Sequence, residues 1–531
     1  MKYAVYSSLK KVFPDEDISS FKKPELVMLR NERLSFQVAF DPEGKSEISV
    51  HAEGELADNT SLYKVGLVPV GMPCYEDSDD FYLKKTPGLY PDVLYPLGGE
   101  FEITSEGVQT IWVEVNGNGQ TAGYKTLTIK IDDTAINFRI KIIDAFLPEN
   151  ELIHTNWFHA DCLCDYYGVE ALSDEFWRIC RNFISAAVHH GANCILTPLF
   201  TPPLDTAVGH ERTTVQLVKV KIIGENAYEF DFSNLDKWVD MCLEEGVKYF
   251  EMSHFFTQWG AEHAPKIIAL NESGEEKRIF GWDTPTDSEE YDSFLLSFAS
   301  ELNKYLLGKG IADKTFIHIS DEPEEKHLAV YGKRAELIRK AFEGYPVLDA
   351  LSNYEFYKLG SVDIPVPCEN NIEQFNGKVP GLWTYYCCGQ HSDYVPNRFI
   401  AMPSLRNRIL GSLAYKYDLK GFLQWGYNFY NTQYSLESVD PFKSTDAGGK
   451  FPSGDSFVVY PAPDGTAYPS LRLKVFYEAI QDIGALKTLE SKIGRDETLK
   501  LLGNITFKSY THSDEEFLSV RSKIYNLIDE S

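Results

Sequence analysis

The chain has 531 residues, 43 % hydrophobic and 24 % charged, and a formal net charge of −28. That length exceeds one hydrophobic core and predicts two to four domains, with the composition of an ordinary soluble globular protein. So negative a field repels phosphate backbones and anionic lipid, which argues against nucleic acid or a membrane surface as partner and favours a neutral substrate.

The N-terminus, MKYAVYSSLKKVFPDED, has no apolar run of signal-peptide length. No window of the chain approaches the ~20 apolar residues of a membrane helix. The nine Cys form no disulfide framework, and DCLCDYY and YYCCGQ read as reduced thiols, so a cytoplasmic protein is expected. Residues 1–148 alternate apolar and polar side chains in RLSFQVAFD, SEISVHAEGEL, GVQTIWVEVNG and YKTLTIKIDDTAINFRIKIIDA, which predicts an accessory β-sandwich. AFLPENE marks its end.

From residue 149 the pattern changes to strand then helix. HTNWFHA precedes a helix with Ser173 as N-cap and Gly191 after its end. NCILTPLF, a hairpin (TVQLVKVKII with AYEFDF), VKYFEMSHFF, KTFIHIS, PVLDALSN, IPVPCEN, GLWTYYCC and GFLQWGYNFY follow, separated by loops or helical segments. Hairpin aside, eight strand-like runs over residues 154–430 predict a parallel sheet closed as a (β/α)8 barrel over 149–465. An open doubly wound sheet is the alternative, but no Gly-rich phosphate turn follows any strand. Residues 466–531 read as a helical segment packed on the barrel.

Barrel enzymes place chemistry at the C-terminal strand ends. Here those ends carry Asn156, Trp157, His159 and Asp161; His254, Gln258 and Trp259; Asp321 and Glu322; Trp383, Tyr385 and Tyr386; and Gln424, Trp425, Tyr427 and Asn428. Aromatic walls with a few carboxylates and amides describe a sugar pocket. In SDEPEEKH, Asp321 with Glu324 also has the form of a capping box, and Pro323 suits a first helical turn. The chemical reading rests on adjacency. Two neighbouring carboxyls resist ionising together, so one is held protonated and can act as a general acid. Ordinary glycosidases place their carboxyls ~5 Å or ~6.5–9.5 Å apart; chain neighbours suit substrate-assisted hydrolysis, in which a 2-acetamido oxygen attacks its own anomeric carbon. Glu251 is the rival, as an enzymic nucleophile opposite Glu322. No metal is expected, because Cys162 and Cys164 lack a second ligand pair at zinc spacing and His189–His190 lies at a helix end. No cofactor motif is present either.

HISDEPEEKH, KYFEMSHFFTQWG followed by APKI, GLWTYYCC, GFLQWGYNFY and YPAPDGTAYPSLRLKVFYEAIQD, in that order over residues 150–485, resemble glycoside hydrolase family 123. The resemblance implies a retaining exo-β-N-acetylgalactosaminidase, releasing terminal β-GalNAc from glycosphingolipid-type oligosaccharides through an oxazolinium intermediate. Asp321 would polarise the acetamido group and Glu322 would be the general acid/base. Tyr385 or Tyr386 would bind the acetamido carbonyl; Tyr385 is preferred because it shares a strand face with Trp383. Trp425 would be the stacking floor, with His254, Asn428, Trp259 and Trp157 as further sugar contacts. A β-N-acetylglucosaminidase (hexosaminidase) or other retaining exo-glycosidase of the same fold, or a carbohydrate-binding member without turnover, is the alternative.

Overall fold

The computed structural model describes residues 1–19 and 24–530. Its first strands are β1 (Tyr3–Ser7), β2 (Val27–Leu29), β3 (Arg33–Phe40), β4 (Glu47–Glu53), β5 (Thr60–Val70), β6 (Gly88–Pro96), β7 (Glu100–Glu102), β8 (Gln109–Asn116), β9 (Gly123–Ile131) and β10 (Thr134–Ile143). They form two five-stranded sheets, ordered β1-β3-β8-β5-β6 and β2-β10-β9-β4-β7. In β10 the alternation is regular: Ile136, Phe138, Ile140 and Ile142 are buried, and the residues between them face outward. They share a core with Phe36 and Val38 of the opposite sheet. β3 and β8 behave differently, being buried on both faces. The outward face of their sheet supplies Val65, Val68, Val93 and Trp112 to the large core of the rest of the molecule.

Short parallel strands then alternate with helices. β11 (Ile153–Asn156) leads into α1 (Ala160–Tyr167) and α2 (Asp174–His189), and β12 (Cys194–Thr197) into the hairpin β13 (Lys219–Gly224) and β14 (Ala227–Asp231) and then α3 (Ser233–Glu245). β15 (Tyr249–Met252) is followed by β16 (Ile267–Leu270), β17 (Glu276–Phe280) and α4 (Glu289–Lys309). β18 (Thr315–Ile317), α5 (Leu328–Ala341), β19 (Leu348–Ala350), α6 (Glu355–Lys358) and β20 (Ile364–Val366) come next. β21 (Trp383–Tyr385), α7 (Ser404–Lys416) and β22 (Gly421–Gln424) complete the alternation. Each of the eight strand-like runs read from the sequence contains one of the parallel strands.

Six of the eight form one sheet, ordered β18-β15-β12-β11-β22-β21, and β19 pairs with β20. Single parallel bridges, Ile317 to Val347 and Cys368 to Tyr385, join that pair to the two edges of the six-stranded arc. The fold is therefore mixed α/β, with its parallel strands in two arcs. One segment departs from the sequence reading. Residues 267–280, expected as loop, form β16 and β17 and complete a four-stranded sheet with β13 and β14. Ile267 and Ala269 alternate inward along β16, and that short period is easily lost between polar neighbours.

After β22 the chain runs through a long excursion to α8 (Leu471–Ile493), α9 (Arg495–Leu502) and α10 (Asp514–Glu530). α8 lies directly on α7. A Cβ at Gly411 of α7 would come within 2.2 Å of the Ala479 carbonyl oxygen, so glycine sets the closeness of these helices. Among the described residues no helix is long and apolar enough to cross a membrane.

Candidate active site

A pocket of about 240 Å³ opens at the C-terminal ends of the parallel strands. Trp157 enters it from β11, Leu204 and Asp205 from the loop after β12, and Gln258 and Trp259 from the loop after β15. Asp321 and Glu322 follow β18, Tyr385 ends β21 with Cys387 and Cys388 beyond it, and Trp425 follows β22. Among the described residues no lysine, arginine or histidine lines this pocket, and three carboxylates do.

Asp321 is not the cap of the helix after β18. The helical turns begin at Glu325, and the preceding Glu324 N–H is capped by His327 Nδ1 at 3.0 Å. This leaves Asp321 and Glu322 free of capping. Both are steered into the pocket because the strand ends early. β18 stops pairing at Ile317, and the buried Asp349 side chain of β19 then replaces the backbone ladder. Its carboxylate accepts from the N–H groups of Ile319 (3.1 Å) and Ser320 (3.1 Å), from His318 Nδ1 (2.9 Å) and from the Tyr331 hydroxyl (2.5 Å). The Glu322 N–H then donates to the Ala350 carbonyl at 3.0 Å, and the Trp259 N–H to the Asp321 carbonyl at 2.8 Å. Glu322 itself sits at φ 44°, a left-handed conformation rare outside glycine and held only by surrounding structure.

Burial lifts both carboxyls above their ordinary range. Asp321 is raised further by the neighbouring Glu322 charge and by Asp349. Glu322 is drawn back by the Tyr385 hydroxyl, which donates to Glu322 Oε1 at 2.5 Å. Desolvated carboxyls adjacent on the chain resist ionising together, the condition under which one can serve as a general acid.

The other expected residues divide by depth. Tyr385 faces the pocket, whereas Tyr386 points outward to Asn407 at 3.2 Å and packs on Phe422. Trp425 lines the pocket, its indole N–H donating to Asp455 at 3.0 Å. Trp157 forms the buried wall, and its N–H donates to Glu251 at 2.8 Å. Trp259 lies at the mouth. Trp383, His254, Tyr386 and Asn428, expected as sugar contacts, stand outside the pocket lining. Trp383 shares the inward face with Tyr385 but sits two residues deeper, over Gly421, where any Cβ would strike its ring. His254 is enclosed, stacked on His318 at 4.3 Å. Asn428 exchanges two hydrogen bonds with the backbone of His159, at 2.9 and 3.0 Å. Asp161 is likewise structural, paired with buried Arg212 at 2.7 Å. Glu251 is fully buried beneath Trp157, bonded to the Trp157 indole and to His318, and does not reach the pocket as a nucleophile.

His254, His318 and Asp349 are close enough to be considered as metal ligands. The two rings stack with 24° between their planes, so their in-plane lone pairs run side by side instead of converging. Both nitrogens of His318 are already engaged, by Asp349 and Glu251.

Sequence reasoning missed Asp205, Cys387, Cys388, Gln433 and Phe451 of the lining, and Asp455 behind Trp425. Burial raises Asp205 to about 6 and Asp455 to about 7. Both lie in long loops, Asp205 within TPPLDT and Asp455 within SGDSF. A single carboxylate among turn residues was the only available signal.

The catalytic-domain model of glycoside hydrolase family 123 matches residues 157–489. Among solved structures, a family 123 glycoside hydrolase from Clostridium perfringens, described for its glycolipid glycan hydrolysis, superposes with a TM-score of 0.73 at 16 % identity, covering 99 % of this chain and 97 % of that one. A putative beta-galactosidase from Bacteroides fragilis gives a TM-score of 0.34 at 10 % identity, over 85 % of this chain and 58 % of the other. Among curated proteins none matches the sequence.

Proposed function

Because this chain belongs to glycoside hydrolase family 123, and so is a glycosidase acting on carbohydrate, we propose that it releases terminal β-linked N-acetylgalactosamine with retention, by substrate-assisted catalysis. One observation carries the reading. Asp321 and Glu322, neighbours on the chain, line one pocket with Tyr385, while Glu251 is enclosed below it. The non-reducing sugar enters the pocket with its ring against Trp425 and Trp157. Its acetamido N–H donates to Asp321 and its acetamido carbonyl accepts from Tyr385. Tyr385 thereby leaves Glu322 and Asp321 gains a donor, so the shared proton passes to Glu322. Glu322 protonates the glycosidic oxygen as the acetamido oxygen attacks the anomeric carbon. The resulting oxazolinium is stabilised by Asp321, and water activated by Glu322 opens it with net retention.

The resemblance to an enzyme of glycolipid glycan hydrolysis supports glycosphingolipid-type oligosaccharides as substrates. The charged side chains of the described lining, Asp205, Asp321 and Glu322, are all acidic, which suits a neutral sugar. We read residues 1–148 as a β-sandwich, the parallel strands from 149 as a (β/α)8 barrel, and the chain end as helices packed on it. The family match to residue 489 takes most of α8 with the barrel. Nine free thiols suit a reducing, cytoplasmic setting.

The test compares aryl β-GalNAc, β-GlcNAc and β-Gal. Turnover of β-GalNAc well above β-Gal is expected; faster cleavage of β-Gal overturns the acetamido mechanism. Asp205 is the lining carboxylate outside the pair, so a 2-fluorosugar trapped covalently on Asp205 would establish double displacement instead.

A further inference from the structure

Four large apolar side chains stand exposed on the loops that supply Asp205, Trp259 and Gln433 to this pocket: Val208 (71 %), Trp259 (39 %), Tyr434 (39 %) and Leu436 (54 %). They come from three separate loops and belong to one hydrogen-bonded unit. The Ala207 N–H donates to the Tyr434 carbonyl at 3.0 Å, and the Tyr434 N–H to Asp205 at 3.1 Å. Ser435 Oγ donates to the Asp205 carbonyl at 2.7 Å, and Gln258, beside Trp259, is bonded to the backbone of Asp205 and Thr206. The Trp259 and Tyr434 rings meet edge to face with centroids 5.7 Å apart.

Asp205, Trp259, Tyr434 and Ser435 all hold left-handed backbones, with φ of 41°, 59°, 64° and 54°. Each such conformation costs about 1–3 kcal/mol in a residue with a Cβ, and clusters of them mark ligand clamps. Here the strained positions are those that turn two aromatic rings toward solvent. Exposed rings rigidly held beside a pocket are the form in which proteins present a stacking surface.

We infer that Trp259 and Tyr434, flanked by Val208 and Leu436, form an aglycone platform that receives the apolar face of the pyranose ring on the leaving-group side of the scissile bond. The inference rests on the exo-glycosidase reading above. A sugar whose non-reducing end fills the pocket projects its leaving group through the mouth. The rim is continuous with the reacting centre: Trp259 lines the pocket, and its backbone N–H donates to the Asp321 carbonyl. Trp259 is therefore placed both to shape the sugar site and to meet the departing ring.

The experiment measures kcat/KM for a β-GalNAc disaccharide and for the glycosyl fluoride, whose leaving group is too small to reach the rim. The wild type, Trp259→Ala and Tyr434→Ala are compared. The disaccharide-to-fluoride ratio is expected to fall about tenfold or more in each variant. An unchanged ratio overturns the platform. So does a loss seen only with a lipid-linked substrate, which would assign the rim to the lipid. Calorimetry on Glu322→Gln separates the two readings: the disaccharide should bind more tightly than GalNAc, and Tyr434→Ala should remove the difference. If GalNAc binds and the disaccharide gains nothing, the platform is overturned alone; if neither sugar binds nor turns over, the glycosidase reading and the platform fall together.

Discussion

At the scale of single residues, the proton sharing proposed for Asp321 and Glu322 makes two predictions of opposite sign. In the proposed mechanism turnover needs Glu322 protonated, so kcat/KM falls as pH rises through its pKa. Asp321→Asn removes the adjacent negative charge, lowers that pKa and moves the basic limb to lower pH, with kcat reduced about 100- to 10,000-fold. Tyr385→Phe removes the hydroxyl that stabilises the Glu322 carboxylate, raises the pKa and moves the same limb to higher pH. Paired pH–rate profiles check both; limbs that stay in place in both variants would assign the acid to another group, Asp205 being the other carboxylate of the lining. The contribution of neighbouring aromatic residues is distributed by depth. Tyr385 and Trp383 share a face of one strand, yet only the outer of the two reaches the pocket.

At the scale of elements, what could be read from the chain followed strand ends. The eight parallel strands, Asp321, Glu322, Tyr385 and Trp425 were visible because strand patterns stop abruptly at polar or aromatic residues. Period-2 alternation says which face a side chain takes and nothing about how deep it lies, hence the errors at Trp383 and His254. Asn428 reads like a sugar ligand but serves a backbone turn. Asp205 and Asp455 were hidden because loops have no period. The least legible feature was Asp349, one aspartate in PVLDALSN, whose carboxylate replaces the ladder that β18 abandons. Asp349→Ala should lower stability by about 3–5 kcal/mol, because it strips partners from buried backbone N–H groups and from His318. Asp349→Asn should fold better yet show a larger loss in kcat than in sugar affinity, as residues 318–322 loosen. Denaturant titration and steady-state kinetics separate these effects, and equal losses in kcat and affinity would deny Asp349 a positioning role. Side-chain hydrogen bonds to Asp349 and Glu251 raise His318 to about 9 against the burial that would lower it. Its contribution to stability is complete below its unfolded value of about 6.5 and is lost as pH rises through about 9.

At the scale of the whole molecule, the N-terminal sheets brace the α/β part through charge as well as apolar area. Arg472 at the start of α8 is almost completely buried and holds Asp92 of β6 at 2.9 and 2.8 Å, and the Tyr460 hydroxyl adds a third bond to that carboxylate at 2.7 Å. Lys474 pairs with Glu114 of β8 at 3.0 Å, and Arg406 of α7 with Asp79 at 2.7 Å. Each basic partner belongs to α7 or α8 and each acid to the sheets or their loops. Buried pairs of this kind add little over apolar packing, but breaking one strands a charge away from water. Mutual dependence of the two parts in folding is the expected consequence. Asp92→Ala, which leaves Arg472 unpaired, should cost about 3–5 kcal/mol, and unfolding should remain one transition, with Trp112 and Tyr385 environments lost together. Lys474→Met with Glu114→Leu, which removes both charges, should be far milder than either single change. Two resolved transitions in denaturant, with the first sparing glycosidase activity, would instead make the N-terminal sheets an independent appendage.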